Sequence, residues 1–340
     1  MTEETLQVVA LKMVAKAKGI LAADESTPTI KKRFDLIGAE STAASRLAYR
    51  EMLFTTPGIE DYISGVILFD ETLRQSAKNG VSIPELLKSK GILPGIKVDQ
   101  GTENFANSET EKFTKGLDGL SVRLKEYYNL GARFAKWRAI YSIANDLPSD
   151  KCLARNAEDL AEYAYICQQN GLVPIVEPEV LMNGVHNLEN CYQVTKKVLG
   201  IVFGKLVQRQ VAMDAIILKP NMVISGQDSG LIDSPETVAE MTVKCFSETV
   251  PVNVPGIVFL SGGQTEEQAC ANLNAMNLIS KACPWQLSFS YGRALQQSAL
   301  KAWAGKVENI EKAQRVFAKR AKLVSLARSG VYSLEMENEV

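Results

Sequence analysis

Histidine is almost missing from this chain: 340 residues contain one, His186. Catalytic zinc usually takes three protein ligands drawn from histidine, cysteine and carboxylates. A three-histidine centre is therefore excluded, while an all-oxygen site is not. His186 lies in the polar stretch NGVHNLEN, which reads as a surface loop. The six cysteines (152, 167, 191, 245, 270 and 283) include no CxxC pair and fall mostly in helix-patterned segments. That spacing suits a reducing cytoplasm better than a disulfide framework. Charge excess is missing too, since 38 Lys+Arg face 39 Asp+Glu. Nothing here points to nucleic acid or a membrane surface as partner, and any anion must be held by a local cluster. No apolar run approaches the roughly 18 to 20 residues of a membrane span. At the start, acids come first, and Leu6, Val9, Ala10, Met13 and Ala17 recur at helical spacing. The expectation is a surface helix and not a signal peptide.

What the chain does have is apolar material, 46% of it hydrophobic, in eight short runs. They are GILAADES (19–26), ISGVILFDE (63–71), PGIKVDQG (94–101), ARFAKWRAI (132–140), VPIVEPEV (173–180), AIILKPN (215–221), GIVFLSGG (256–263) and QLSFSYGR (286–293). Near-continuous apolar strands fit a parallel sheet buried on both faces. Helical patterns lie between them. Asn156 is a candidate cap for the segment ending at Gly171, Ser234-Pro235-Glu236 reads as a helix start, and Thr265 with Gln268 forms a capping-box pair. Strands alternating with helices imply βαβ units, and eight of them predict a closed (β/α)8 TIM barrel. A doubly wound open sheet is the alternative, weakened by the lack of a GxGxxG fingerprint after the first strand. The predicted organisation is one domain over 1–340, with an N-terminal helix, a C-terminal helix and a short tail from about 331.

The apolar strands end in charge. Residues i and i+2 of a strand share a face. At that spacing, near the C-terminal ends, stand Lys97 and Asp99, Lys136 and Arg138, and Glu177 and Glu179; Asp24 ends the first strand and Lys219 the sixth. In a barrel these ends form one rim, where active sites of the fold lie. A structural ion-pair network is the plainer explanation for any one of them. It is a poor explanation for the whole set, because burying charge costs several kcal/mol per ion unless well paired. The seventh and eighth strands end instead in SGG (261–263) and SYGR (290–293), the usual place for a phosphate site in this fold. A second anion site is conceivable after the first strand, where Ser26, Thr27 and Thr29 precede Lys31, Lys32 and Arg33 and where Lys97 could reach; a helix cap beside a solvated basic face explains this stretch as well.

A lysine that ends an apolar strand suits covalent chemistry. Neutral lysine is a nucleophile, its ordinary pKa is about 10.4, and catalysis favours about 7 to 8. Desolvation and neighbouring cations such as Lys136 and Arg138 would push that way. Lys219 thus becomes a candidate Schiff-base residue attacking a carbonyl, with the protonated imine as electron sink and carboxylates such as Glu177 and Asp24 moving protons.

Longer motifs then place the chain. GILAADEST, GIKVDQG, GLDGLSVR, FAKWR, ICQQNGLVPIVEPE, LKPNMV, FLSGGQTEEQA and SFSYGRALQQSALKAW resemble class I, metal-independent fructose-1,6-bisphosphate aldolases, and the resemblance covers the chain from about residue 10 to 332. The resemblance implies a cytoplasmic (β/α)8 barrel, commonly a homotetramer. Such an enzyme needs no cofactor and reversibly cleaves fructose 1,6-bisphosphate to dihydroxyacetone phosphate and glyceraldehyde 3-phosphate. Motif by motif, it implies that Lys219 is the Schiff-base residue, Glu177 the general acid/base, Asp24 the group near the C4 hydroxyl and Lys136 its charge-stabilising neighbour. Arg138 and Glu179 support that network. Ser261, Gly262, Gly263, Ser290, Gly292 and Arg293 match the site for the phosphate nearest the imine. Ser26, Thr29, Arg33 and Lys97 match the other phosphate site, and Arg46 joins them on a looser motif.

Three departures are visible. Thr29 replaces a common serine and keeps the hydroxyl. Asp70 differs from animal members, away from the catalytic set. The chain ends in YSLEMENEV, whereas many eukaryotic members carry a longer tail with a terminal tyrosine. The short acidic end is therefore expected to be no part of the catalytic apparatus. Other lysine-barrel aldolases, such as transaldolases or keto-acid aldolases, would lack the two phosphate sites. A non-catalytic protein-binding scaffold would tolerate loss of a catalytic residue, and none is lost.

Overall fold

The structure, a computed structural model, describes residues 4–106, 108–280 and 283–338. Eight strands close into a parallel barrel: β1 (Gly19–Ala23), β2 (Ile63–Leu68), β3 (Leu93–Lys97), β4 (Phe134–Tyr141), β5 (Val173–Val180), β6 (Ile217–Leu218), β7 (Gly256–Phe259) and β8 (Gln286–Tyr291). Each pairs with its neighbours in sequence, and β1 pairs with β8 to close the ring. The (β/α)8 expectation is therefore met, and the open-sheet alternative fails on that last pairing. Five of the six cysteines are buried, and all six are free thiols.

Side-chain alternation sorts each strand into an inner and an outer set. Ile20, Ala22, Ile67, Phe134, Val173, Ile175, Ile217 and Val258 pack in the barrel interior. Leu21, Val66, Ile96, Trp137, Val176 and Leu218 face the helix layer. The interior is tight at β3, where a Cβ built on Gly95 would lie 2.1 Å from the Phe134 ring, so only glycine fits beside that phenylalanine. Two residues beyond Ala22, Phe134, Ile175 and Ile217 the same inward parity reaches Asp24, Lys136, Glu177 and Lys219. The apolar interior thus continues into a charged mouth by alternation alone.

Several local expectations are corrected. The N-terminal helix Leu6–Met13 is no mere surface helix, because Val9, Ala10 and Met13, with Val14, join the interior cluster and plug the N-terminal end of the barrel. Ala17 lies beyond it with φ 59°. Asn156 is not a cap. The helix starts earlier, at Asp150, with Ser149 accepting from the Cys152 N–H, and Asn156 sits fully buried within it, its amide donating to Lys112 O at 2.9 Å. Lys112 belongs to a two-stranded hairpin (Thr102–Asn104 with Lys112–Thr114) whose short polar strands gave no sequence signal. The helix starts at Ser234 and Thr265 are as expected.

The tail folds back against the helix layer. Glu337 pairs with the guanidinium of Arg320, which is 4% exposed, and accepts from Tyr332 Oη at 2.8 Å, while Lys319 Nζ donates to its carbonyl at 2.8 Å. Glu339 and Val340 lie outside the described residues. Removing one partner of a buried ion pair costs about 3–5 kcal/mol, and because Glu337 is partly wetted the lower end applies. Truncation after Tyr332 should therefore lower unfolding stability by about 3 kcal/mol in a denaturant titration, while turnover changes by less than about tenfold, or roughly 1.4 kcal/mol of barrier. A hundredfold fall in turnover in a folded truncated protein would place the tail in the active site instead.

Candidate active site

Four inward residues meet at the barrel mouth. Lys136 Nζ lies 2.8 Å from Asp24 Oδ2, 3.3 Å from Glu177 Oε2 and 3.8 Å from Asp99 Oδ2. Glu177 bridges onward, its Oε1 lying 3.2 Å from Lys219 Nζ. Lys136, Glu177 and Lys219 are each at most 4% exposed. The partner of Lys219 within ion-pair distance is thus a carboxylate, and not the cations Lys136 and Arg138 that the strand-end spacing suggested. Cα pairing explains the convergence, since Lys136 stands opposite Lys97 on β3, and Arg138 opposite Glu177 on β5.

Burial alone would raise the Asp24 carboxyl, but Lys136, Lys219 and Lys97 outweigh it and hold it well below the usual carboxylate range. Burial would likewise lower Lys136, yet Asp24, Glu177 and Asp99 drive its ammonium above the usual lysine range. Lys136 is therefore a fixed cation, suited to stabilising negative charge and not to giving up a proton. Arg138 pairs with Glu179 further out on the rim.

The phosphate-binding candidates form two neighbouring clusters. At the ends of β7 and β8, Ser261 and Ser290 are buried, and Ser290 Oγ has no protein partner among the described residues. Arg293 is exposed and opens the helix Arg293–Trp303. After β1, Ser26 Oγ and Thr29 Oγ1 are 3.0 Å apart in the first turn of the helix Thr27–Asp35. Lys97 Nζ is held by Asp99 Oδ1 at 2.5 Å, which ties it to the Lys136 group. Arg33 leans toward β8: a Cβ built on Gly292 would be 3.8 Å from its Nη2, and Arg33 and Arg293 line one groove of about 200 Å³. Arg46 is paired with Glu71, its Nε lying 2.8 Å from Oε2.

Sequence reasoning missed the layer behind this cluster. Arg50 is 1% exposed; it donates to Glu25 O at 2.7 Å and lies 3.7 Å from Glu25 Oε2 and 3.9 Å from Glu71 Oε2. Arg33 pairs with the same Glu25 at 2.5 Å. Glu25 follows Asp24 directly and points outward by alternation, so its place beside the site was open to inference. Arg50 and Glu71 come from distant segments and left no local sign. His186 is also corrected: it is 6% exposed, not on the surface, and both ring nitrogens lack a protein partner among the described residues. Burial pushes its imidazole below the ordinary value.

A buried lysine beside a carboxylate, at the C-terminal mouth of a (β/α)8 barrel, with hydroxyl and basic side chains near it, suits a barrel enzyme for carbonyl chemistry. The profile described as "Glycolytic: Fructose-bisphosphate aldolase class-I" matches residues 5–340, and the chain belongs to that family. It is 54% identical over 331 residues to a probable fructose-bisphosphate aldolase class 1 of Xanthomonas axonopodis pv. citri, covering 97% of this chain and 99% of the relative. It is 55% identical over 315 residues to the cytosolic fructose-bisphosphate aldolase 4 of Arabidopsis thaliana, covering 93% and 80%. In structure it is similar to the Plasmodium falciparum fructose-bisphosphate aldolase in its ternary complex with TRAP and a small-molecule inhibitor. There the TM-score is 0.95 at 51% identity, over 96% of this chain and 95% of the other.

The charge cluster has a pH signature. Asp24, with its depressed value, contributes stability that is present above its unfolded pKa of about 3.9 and is lost as pH falls further. Lys136, with its raised value, contributes below about 10.4, and that contribution is lost as pH rises through its folded value. Between these limits the pair should give a flat profile. Lys136→Met should cost about 3–5 kcal/mol at neutral pH. Because Asp24 would lose the cation that chiefly holds its carboxyl down, the stability gap between wild type and variant should narrow as pH falls below about 4. Urea midpoints across that window check this, and a parallel wild-type and variant profile would contradict it.

Proposed function

We propose that this chain catalyses the reversible cleavage of fructose 1,6-bisphosphate to dihydroxyacetone phosphate and glyceraldehyde 3-phosphate through a Schiff base on Lys219. The observation that carries the reading is the buried chain of contacts from Lys219 through Glu177 and Lys136 to Asp24. Lys219 Nζ adds to the C2 ketone, and loss of water gives a protonated imine. Glu177, at 3.2 Å, is placed to move the protons of addition and dehydration. Asp24, kept ionised by Lys136, accepts the proton of the C4 hydroxyl. The C3–C4 bond breaks, the aldehyde leaves, and its electron pair enters the imine to give an enamine. Protonation at C3 and hydrolysis of the imine release the second product. Lys136 supplies fixed positive charge beside the developing oxyanion, a preorganised electrostatic role. Arg138 and Glu179, paired with each other, support this network from the rim.

In the same reading, Ser261, Gly262, Gly263, Ser290, Gly292 and Arg293 hold the phosphate nearest the imine, and Ser26, Thr29, Arg33 and Lys97 hold the other. The chain acts as one barrel domain over 1–340 and works in the cytosol without cofactor or metal. It assembles as a homotetramer, the common state in the family it resembles.

Borohydride reduction in the presence of dihydroxyacetone phosphate should add one substrate mass at Lys219, read by peptide mass spectrometry. Label on Lys136 or Lys97 would sink the assignment. EDTA should leave activity unchanged, and strong inhibition reversed by zinc would overturn the metal-free mechanism.

The two phosphate clusters are separable by substrate. Arg293→Ala should raise KM for both the bisphosphate and fructose 1-phosphate. Lys97→Ala should harm the bisphosphate more, since only that substrate carries the distal phosphate. An equal effect of Lys97→Ala on both would contradict the two-site arrangement.

A further inference from the structure

The loop after β6 carries a side chain for which the proposed chemistry has no use. Gln227 is exposed, and its Nε2 donates to Gly263 O at 2.9 Å. Its backbone is fixed from the other side, by the loop after β5. The Gln227 N–H donates to Met182 O at 2.8 Å, the Gly226 N–H to His186 O at 2.8 Å, and the Asp228 N–H to Gly184 O at 3.0 Å. Asp228 Oδ2 accepts from the Gly184 N–H at 2.9 Å. The amide of Gln227 therefore reaches Gly263 from an anchored base.

What it holds is a turn with little stiffness of its own. Gln264 N–H donates to Ser261 O at 2.9 Å, closing a four-residue turn with Gly262 at φ 35° and Gly263 at φ 79°. Left-handed backbone at both central positions requires glycine, and glycine leaves the turn free to visit many other shapes. The backbone N–H groups of Gly262 and Gly263 have no protein partner among the described residues. Successive free N–H groups in such a turn make an anion-binding concavity. A Cβ built on Gly263 would lie 2.0 Å from Gln227 Nε2, so the amide covers the glycine closely.

We propose that Gln227 is a positioning residue for the phosphate nearest the imine. By holding the Gly263 carbonyl it keeps the glycine turn in its phosphate-accepting shape, and it sets affinity at that end of the substrate without touching the reacting atoms. Ser261, Lys219 and Glu177 keep their places when it is removed. The inference rests on the reading of Ser261–Gly263 as a phosphate loop. It goes beyond that reading by assigning control of the loop to a residue on a neighbouring strand's loop.

The test uses the full-length protein with Gln227→Ala and Gln227→Glu. Loss of one hydrogen bond should raise KM for fructose 1,6-bisphosphate and for fructose 1-phosphate by the same factor, about three- to tenfold. The inhibition constant of inorganic phosphate should shift alongside. The turnover number should stay within about twofold and the thermal midpoint should not move, because the side chain is exposed and its removal opens no core. Gln227→Glu, which offers no donor when ionised and adds a like charge near the phosphate, should be worse than Gln227→Ala. Unchanged KM for both substrates, a rise confined to the bisphosphate, or a fall in turnover at constant KM would each overturn the role. A wild-type protein inactive on fructose 1,6-bisphosphate would instead overturn the reading of the whole site.

Discussion

One ammonium group organises the mouth of this barrel. Lys136 Nζ lies within 4 Å of Asp24, Asp99 and Glu177, contributed by or next to three other strands. Three carboxylates at that depth would repel one another without a cation between them. With the cation among them, Asp24 stays ionised, and Glu177 can face Lys219 at the same time. The strands beneath must be in register for this to hold. Pairing of Lys97 with Lys136, and of Arg138 with Glu177, brings the charges level at one rim. The price is paid below, where β1 to β8 close over an apolar interior and the helix Leu6–Met13 seals the far end.

Most of the fold was legible because its signal is local and repeated. Eight apolar runs of strand length, separated by helical patterns, leave few topologies open, and alternation along each run says which residues face inward. The convergence of charge at the mouth could be read for the same reason, since Asp24, Lys136, Glu177 and Lys219 extend the inward set by one step. What stayed hidden depends on contacts between distant segments. Val9, Ala10 and Met13 have the same spacing whether a helix lies on the surface or plugs a barrel. Asn156 is buried because a hairpin with strands of three residues covers it, and TEN and KFT are too short and too polar to announce themselves. His186 is surrounded by polar residues in sequence and by the loops of β5 and β6 in space. Arg50, Glu25 and Glu71 form a buried network from three separate stretches.

That second layer changes how the phosphate clusters are understood. Glu25 holds Arg33 on one side and Arg50 on the other, while Glu71 holds Arg46. Arg33 is thereby brought near Gly292 and lines one groove with Arg293, so the two candidate clusters at the ends of β1 and β8 are neighbours. Arg46 spends its charge on Glu71 and supports the layer. The tail shows the same economy of distance. It is anchored through Glu337 to Arg320 on the helix layer.

The most direct measurement is a crystal structure of the protein soaked with dihydroxyacetone phosphate. The expected result is continuous density between Lys219 Nζ and the substrate C2 atom, with Glu177 beside the imine and the phosphate seated among Ser261, Gly262, Gly263, Ser290, Gly292 and Arg293. Density joined to another lysine, or a phosphate bound away from the ends of β7 and β8, would contradict the mechanism.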